Sequence, residues 1–132
     1  MKKIFGLAVL TTFLVGNFCF ARNYDTDRNY IFVAAGGQGV YYLYCPSVYV
    51  EEYNPPHYQI SGHFVHQGDY GETKLDLQFR YNFDRKIVYY RNKEDVWVSI
   101  NPKNFQDLHY RDLPFANALF KTAYKMNFFN DL

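Results

Sequence analysis

The clearest pattern in the chain is an alternation of apolar and polar side chains over residues 74–83, where every second position from Leu75 to Phe83 is apolar. This period of two predicts a β-strand with one buried and one solvated face. Two further runs of β-branched and aromatic residues follow at 87–90 and 96–100, each after a polar break. Residues 74–100 therefore predict a three-strand meander around which the rest of the chain is organised.

Three more strands are predicted before this meander. Residues 30–34 and 40–45 flank a glycine-rich turn, which predicts a hairpin. Residues 57–66 alternate again, and the alternation places Tyr58, Ile60 and Phe64 on one face. We expect Pro46 to interrupt the hydrogen-bonding ladder of the second strand, which continues briefly over residues 47–49, because proline removes a donor. Residues 54–56 are expected to form a loop for the same reason.

The loop at residues 84–86 decides which side chains of the next strand face the core. A three-residue loop pairs Phe83 with Ile87, whereas a two-residue loop pairs Phe83 with Lys86. A shift of one residue turns every side chain of the strand to the other face. Both registers are compatible with the sequence.

Helical spacing replaces alternation after Ile100. Asn101 and Pro102 suit an N-cap and a first helical position, so residues 102–108 are expected to form one or two helical turns. Pro114 begins a second predicted helix with an apolar stripe of Phe115, Ala116, Leu119, Phe120, Ala123 and Met126. The predicted fold class is α+β, a mostly antiparallel meander of five or six strands with this C-terminal helix on one face.

The N-terminal segment predicts export. Two lysines, an uncharged run to Phe20 and the small residue Ala21 are typical of a signal peptide over residues 1–21. Without the two leader lysines, 12 of the 14 Lys and Arg residues remain against 13 Asp and Glu residues, so the net charge is −1. That balance gives no reason to expect nucleic acid as a partner. We expect residues 22–28 to be a flexible terminus and residues 29–132 to be one domain, with no membrane-spanning segment after cleavage.

The sequence contains no readable catalytic, metal or cofactor site. Cys45 is the one cysteine of residues 22–132, which excludes an intrachain disulfide. His63 and His66 are three residues apart, so on a strand they point to opposite faces and cannot share a metal ion. The paired carboxylates Glu51 and Glu52 are interpreted as solvated surface.

Aromatic residues form 21% of the chain and occupy both faces of the predicted strands, more than one helix can cover. The second face is therefore either buried, beneath residues 51–56, in a curled sheet or in a dimer, or displayed as a recognition surface. The candidate recognition residues are Trp97, Tyr42, Tyr44 and Tyr90. Trp97 is predicted to point away from the helix, because Val96, Val98 and Ile100 form the cleaner apolar face of its strand.

Parts of the chain resemble small secreted bacterial proteins of the surface-adhesin-like type, namely Phe32-Val33, residues 39–43, Ser47-Val48 and the spacing Trp97-x-x-Ile100-x-Pro102. The chain departs from that pattern at Tyr44, where an aspartate is usual, and lacks the cysteines often found there. The resemblance implies an exported, non-enzymatic domain of the envelope or surface. It would bind an envelope, host-surface or protein ligand without a cofactor. A small secreted hydrolase is the alternative.

Overall fold

The computed structural model describes residues 23–104, 106 and 108–130, and the predicted leader at residues 1–21 lies outside this part. Six antiparallel strands form one sheet in which neighbours follow chain order. They are β1 (Tyr30–Gly36), β2 (Gly39–Asn54), β3 (His57–Gly68), β4 (Gly71–Asn82), β5 (Ile87–Arg91) and β6 (Trp97–Ile100). The helix α1 (Leu113–Tyr124) packs across β1, β2 and β3. The predicted α+β meander with a C-terminal helix is confirmed.

The core lies between α1 and the face of the sheet that α1 covers, which we call the helix face. Alternation along each strand sends one apolar set to this face, and the strand side chains buried there are Leu43, Ile60, Phe64, Phe79, Tyr81, Val88 and Ile100. Tyr81 is fully buried, and its hydroxyl donates to the carbonyl oxygen of Ala116 at 2.6 Å. Burial raises the pKa of Tyr81 well above its usual value.

The turn between β4 and β5 settles the register of the meander. Asn82 pairs with Ile87, so the loop has four residues rather than three or two. The register is nevertheless the one that a two-residue loop would set, because Tyr81 then pairs with Val88 and both face α1. Lys86 closes the turn with a φ of 54°.

Pro46 interrupts the ladder of the second strand, as predicted, but β2 continues further than expected, to Asn54. Pairing of β2 with β1 stops at Tyr44, and pairing with β3 is interrupted between Tyr44 and Tyr49. Pro46 therefore lies where no ladder donor is required. The Ser47 hydroxyl accepts from the His63 N–H at 2.8 Å and donates to the Tyr44 carbonyl oxygen at 2.6 Å, which bridges the gap.

One predicted alternative was that residues 51–56 fold over the second face of the sheet, the face opposite α1. This is not the case. Glu51, Glu52 and Asn54 belong to β2, and Asn54 pairs with His57 across a tight turn at Pro55-Pro56. These residues therefore extend the sheet.

Two expectations for the C-terminal part are corrected. Residues 101–104 form a turn, in which the Asn104 N–H donates to the Asn101 carbonyl oxygen at 3.2 Å, and a 3₁₀ helix follows later, at Leu108–Asp112. Helix α1 has the predicted buried stripe but ends before Met126, which is 48% exposed. Lys125 ends the helix in the left-handed conformation.

The chain then returns to the core, and Asn117 on α1 fixes this return. Its Oδ1 accepts from the N–H groups of Phe128 at 2.7 Å and Phe129 at 3.3 Å. Both phenylalanines are buried, and the Phe128 ring contacts those of Tyr81 and Phe120. Neither was expected from the sequence, because they lie beyond the helical repeat.

We expect Asn117→Ala to lower the free energy of unfolding by about 1–2 kcal/mol, because it leaves two backbone donors of the tail without their acceptor. Asn117→Asp keeps an acceptor oxygen and should cost less. Urea denaturation of both variants measures the difference. Equal losses would show that the acceptor oxygen is not what holds the tail.

Candidate functional site

The face of the sheet opposite α1, here called the outer face, is partly covered by the N-terminal segment. Residues 22–28 were expected to be flexible, yet Tyr24 begins a 3₁₀ turn (Tyr24–Thr26) and is only 3% exposed. Its ring contacts those of Tyr30 and Tyr42 at 4.6 and 5.0 Å between centroids. Its hydroxyl donates to Glu72 Oε1 at 2.6 Å. The terminus is therefore docked at this end of the outer face.

The other end of the outer face is open and carries Trp97 among arginines. The guanidinium carbons of Arg80 and Arg91 lie 4.6 and 4.8 Å from the centroid of the indole ring. Arg91 is the cross-strand partner of Trp97, and Arg80 reaches it from β4. Trp97 is half-buried and belongs to neither apolar cluster of the described residues. The ring is thus covered by arginine side chains, in contacts typical of cation–π pairs.

A chain of side-chain hydrogen bonds continues from Arg80 across the sheet. Arg80 Nε donates to Gln59 Oε1 at 2.8 Å, and Gln59 Nε2 donates to Glu51 Oε2 at 2.6 Å. The same carboxylate oxygen accepts from Gln78 Nε2. We call this set the arginine–tryptophan strip, consisting of Trp97, Arg91, Arg80, Gln59, Glu51 and Gln78.

A bulge in β2 gives the strip its carboxylate. The pairing of β2 with β3 shifts between Val50 and Glu52, so Glu51 is an extra residue without a partner opposite it. Val50 packs against the core cluster, whereas the Glu51 side chain reaches Gln59 and Gln78. The bulge therefore turns Glu51 to the outer face beside the amides.

The two arginines of the strip keep their positive charge available to a ligand. Within the described part of the chain, neither Arg80 nor Arg91 forms a salt bridge with a carboxylate. A guanidinium group that lies on an aromatic ring still presents its edge, where its N–H groups are. That edge matches the two oxygens of a carboxylate or phosphate.

A shallow polar hollow of about 330 Å³ lies beside the strip. It contains His63 and Asp76, whose Nδ1 and Oδ1 atoms are in contact, and the side chains are 63% and 79% exposed. Ser47 also lines it, but its hydroxyl is held by backbone groups. His66 stacks on Tyr41 and so lies on the helix face. No cluster of metal-ligand side chains occurs among the described residues.

The structure does not bring the four candidate recognition residues together. Trp97, Tyr42 and Tyr44 are on the outer face, but β2 and β6 are four strand spacings apart, about 19 Å. Tyr42 is buried under Tyr24, and this burial, followed by the charge of Asp25 and a hydrogen bond to it, raises the Tyr42 pKa. Tyr44 packs on Tyr30.

Tyr90 lies on the helix face, packed against the core, where its ring stacks on that of His109 with centroids 3.6 Å apart. Trp97 is thus the one predicted recognition residue at the open end of the outer face. Its neighbours Arg80, Arg91 and Gln59 were not identified from the sequence. The one signal in the sequence was alternation: residues 78 and 80 on β4 alternate with more buried positions, which places their side chains on the outer face.

Comparison of the chain with protein-family models, curated proteins and solved structures found no match in any of the three. Within the described ranges, no helix is long and apolar enough to cross a membrane.

Proposed function

We propose that the chain is an exported, non-enzymatic binding domain of the envelope or cell surface, which recognises an anionic ligand through the arginine–tryptophan strip. The observation that carries the proposal is the pair of arginines at 4.6 and 4.8 Å from the Trp97 ring, without salt-bridge partners among the described residues. Export is supported by the leader pattern at residues 1–21 and by the adhesin-like resemblance.

The composition of the strip suits recognition better than stabilisation. Tryptophan and arginine are the residues that most often dominate binding energy at interfaces, since each joins a broad apolar area to hydrogen-bonding groups. Exposed charges contribute little to folding stability. A ligand carboxylate or phosphate placed against Arg80 and Arg91 would gain two-oxygen contacts from planar donors.

The sheet supports the strip rigidly. Its residues come from β2, β3, β4, β5 and β6, and the hydrogen bonds from Arg80 through Gln59 to Glu51 limit the rotamers of three of them. Side chains already ordered in the free protein lose less entropy when a ligand binds. The strip is therefore preorganised for a polar, anionic ligand such as an acidic polysaccharide.

Binding of polygalacturonate, a polymer of uronic acids, to residues 22–132 tests the proposal against neutral dextran of the same length. We expect binding to polygalacturonate alone, weakening as salt rises. Arg80→Lys/Arg91→Lys should lower affinity about 10-fold, because lysine keeps the charge but lacks the planar fork. Lys74→Ala/Lys121→Ala removes two positive charges away from the strip and should change affinity less than about 3-fold. A loss in Lys74→Ala/Lys121→Ala with unchanged affinity in Arg80→Lys/Arg91→Lys would leave only net charge as the cause.

Trp97→Ala distinguishes a ring that is displayed for ligand binding from a ring that is buried in a core. We expect a loss of about 1–2 kcal/mol in the free energy of unfolding, since two exposed cation–π contacts contribute about 0.5–1 kcal/mol each. Affinity for polygalacturonate should fall about 10-fold or more. Chemical denaturation and biolayer interferometry of one preparation measure both. A stability loss of about 3–5 kcal/mol would instead indicate a core residue.

The hydrolase alternative rests on the contact between His63 and Asp76, an arrangement that orients a general base. Ser47 does not complete it as a nucleophile, because its hydroxyl donates to the Tyr44 carbonyl oxygen. Activity on p-nitrophenyl acetate that is lost in His63→Ala but kept in Arg80→Lys/Arg91→Lys would favour a hydrolase. We expect the same background hydrolysis for all three proteins.

A further inference from the structure

A second surface lies at the other edge of the sheet, separate from the strip. A groove of about 830 Å³ runs between β1 and α1. Ile31, Phe32 and Val33 line it on the strand side, and Ala118 and Thr122 are among its helix residues. The pairing of β1 with β2 shifts between Phe32 and Ala34, so Val33 is an extra residue. Ile31 and Val33 both pack against the core and give the groove an apolar wall.

The strand that borders this groove is an edge strand, with β2 on one side only. The Cys45 N–H donates to the Asn29 carbonyl oxygen at 2.7 Å, which fixes the phase of hydrogen bonding between the two strands. Because hydrogen-bonded pairs alternate in an antiparallel ladder, Ile31 is the next residue bonded to β2. Phe32 therefore turns its N–H and C=O toward the open edge, and its side chain is 58% exposed.

The charged residues that line the groove are all positive. Arg28, Lys121 and Lys125 line it, and no carboxylate is among its described lining residues. Lys121 and Lys125 are one turn apart on the helix side, and Arg28 precedes β1. Such a surface attracts negatively charged segments and disfavours positively charged ones.

We propose that this groove binds an extended acidic peptide segment of a partner protein, which adds as a further strand beside β1. The backbone of the segment would pair with the outward-facing groups of Phe32. Its apolar side chains would contact Ile31 and Val33, and its carboxylates would meet Lys121 and Lys125. Pairing is limited to the part of β1 before the bulge, so the expected contact is short.

Cys45 gives the groove an internal reporter. Its thiol lies among the lining residues, and burial raises its pKa although Thr122 and Lys125 act in the opposite direction. A peptide seated in the groove would cover the thiol. Alkylation by iodoacetamide at fixed pH should therefore slow when the peptide binds.

The test uses residues 22–132 and a fluorescein-labelled eight-residue peptide in which valine alternates with glutamate. We expect saturable binding by fluorescence anisotropy, and slower alkylation of Cys45 at the same peptide concentrations. Lys121→Glu/Lys125→Glu should weaken binding about 10-fold or more. Lys74→Glu/Lys93→Glu, which changes the same charge away from the groove, should weaken it less than about 3-fold.

Two peptide controls separate strand addition from charge attraction. Peptides N-methylated at alternate residues present blocked N–H groups on one edge or the other. One of the two methylated series should lose affinity about 10-fold and the other should bind as before, because only one peptide edge pairs with β1.

Several results would overturn the proposal. They are an absence of binding at 1 mM peptide, equal binding of a valine–lysine peptide, and equal effects of the two N-methylated series. Sedimentation that shows a dimer broken by Phe32→Pro would assign the edge to a second copy of the chain. Failure here leaves polygalacturonate binding intact, since Arg80, Arg91 and Trp97 are outside the groove.

Discussion

Phe120→Ala is expected to lower the free energy of unfolding by about 3–5 kcal/mol, the range of large aromatic truncations in a core. Phe120 is 1% exposed, and its ring contacts that of Tyr124 on the same helix at 5.0 Å between centroids. It also contacts four rings of other elements, those of Tyr58, Tyr81, Phe83 and Phe128, at 5.2–5.6 Å. These rings belong to β3, β4, the turn after β4 and the C-terminal tail. Their positions are fixed by separate elements, so collapse into the cavity is limited and the loss should fall in the upper half of the range.

Lys121→Ala is the matched control, because Lys121 is the next helix residue and is exposed. It should change stability by less than about 0.5 kcal/mol. Urea denaturation followed by circular dichroism compares the two variants. Similar losses at both positions would mean that the buried stripe of α1 is misassigned.

Tyr24→Ala should have the second largest effect, a loss of about 3 kcal/mol in the free energy of unfolding. The side chain is 3% exposed and covers Tyr42 and Val65, which are each 5% exposed. The estimate is at the low end for an aromatic truncation because a terminal segment can shift to reduce the cavity. Most of the loss should come from packing rather than from the hydroxyl.

Tyr24→Phe tests that division. It removes the hydrogen bond to Glu72 but keeps the ring, and it should cost about 1 kcal/mol. Tyr70, whose side chain is fully exposed at the turn between β3 and β4, provides the control, and Tyr70→Ala should be neutral within about 0.5 kcal/mol. If Tyr24→Ala were as mild as Tyr70→Ala, the N-terminal segment would not be docked.

The strands and the helix could be predicted from the sequence because each has one buried face, and apolar residues therefore recur at a regular spacing along the chain. Residues 75–83 and 57–66 alternate, and residues 115–123 repeat at three and four, since each element has one solvated side. The register between β4 and β5 could not be predicted from the sequence. The two loop lengths considered, of two and three residues, differ by one residue, and the apolar residues at 87–90 suit either face of the sheet.

Local rules failed where tertiary contacts replaced them. Pro46 interrupts the ladder as expected, but the strand continues to Asn54 because the Ser47 hydroxyl takes over the role of a ladder partner for His63. Tyr24 is a single aromatic residue in a polar segment. One residue forms no repeating apolar pattern, so its burial against the outer face could not be predicted. Phe128 and Phe129 likewise follow a helix that has already ended.

Of the candidate site, only Trp97 could be predicted from the sequence. It alternates with Val98 and Ile100 along its strand, which indicated that its side chain lies on the outer face. Arg80 and Gln59 are ordinary solvated positions on their strands until the pairing of β3 with β4 sets them side by side. The bulge that presents Glu51 depends on how two long strands accommodate each other. The strip is assembled from side chains of five strands, so no short motif encodes it.

The most direct test of the proposed recognition surface is collisional quenching of Trp97 fluorescence, because the chain contains a single tryptophan. Beside Arg80 and Arg91, the ratio of iodide quenching to caesium quenching at equal ionic strength should exceed that of free N-acetyltryptophanamide, and added polygalacturonate should protect the indole. The preference for iodide should diminish in Arg80→Ala/Arg91→Ala. A blue-shifted emission that neither ion quenches, unchanged by the polymer, would contradict a partly accessible Trp97 on an anion-binding surface.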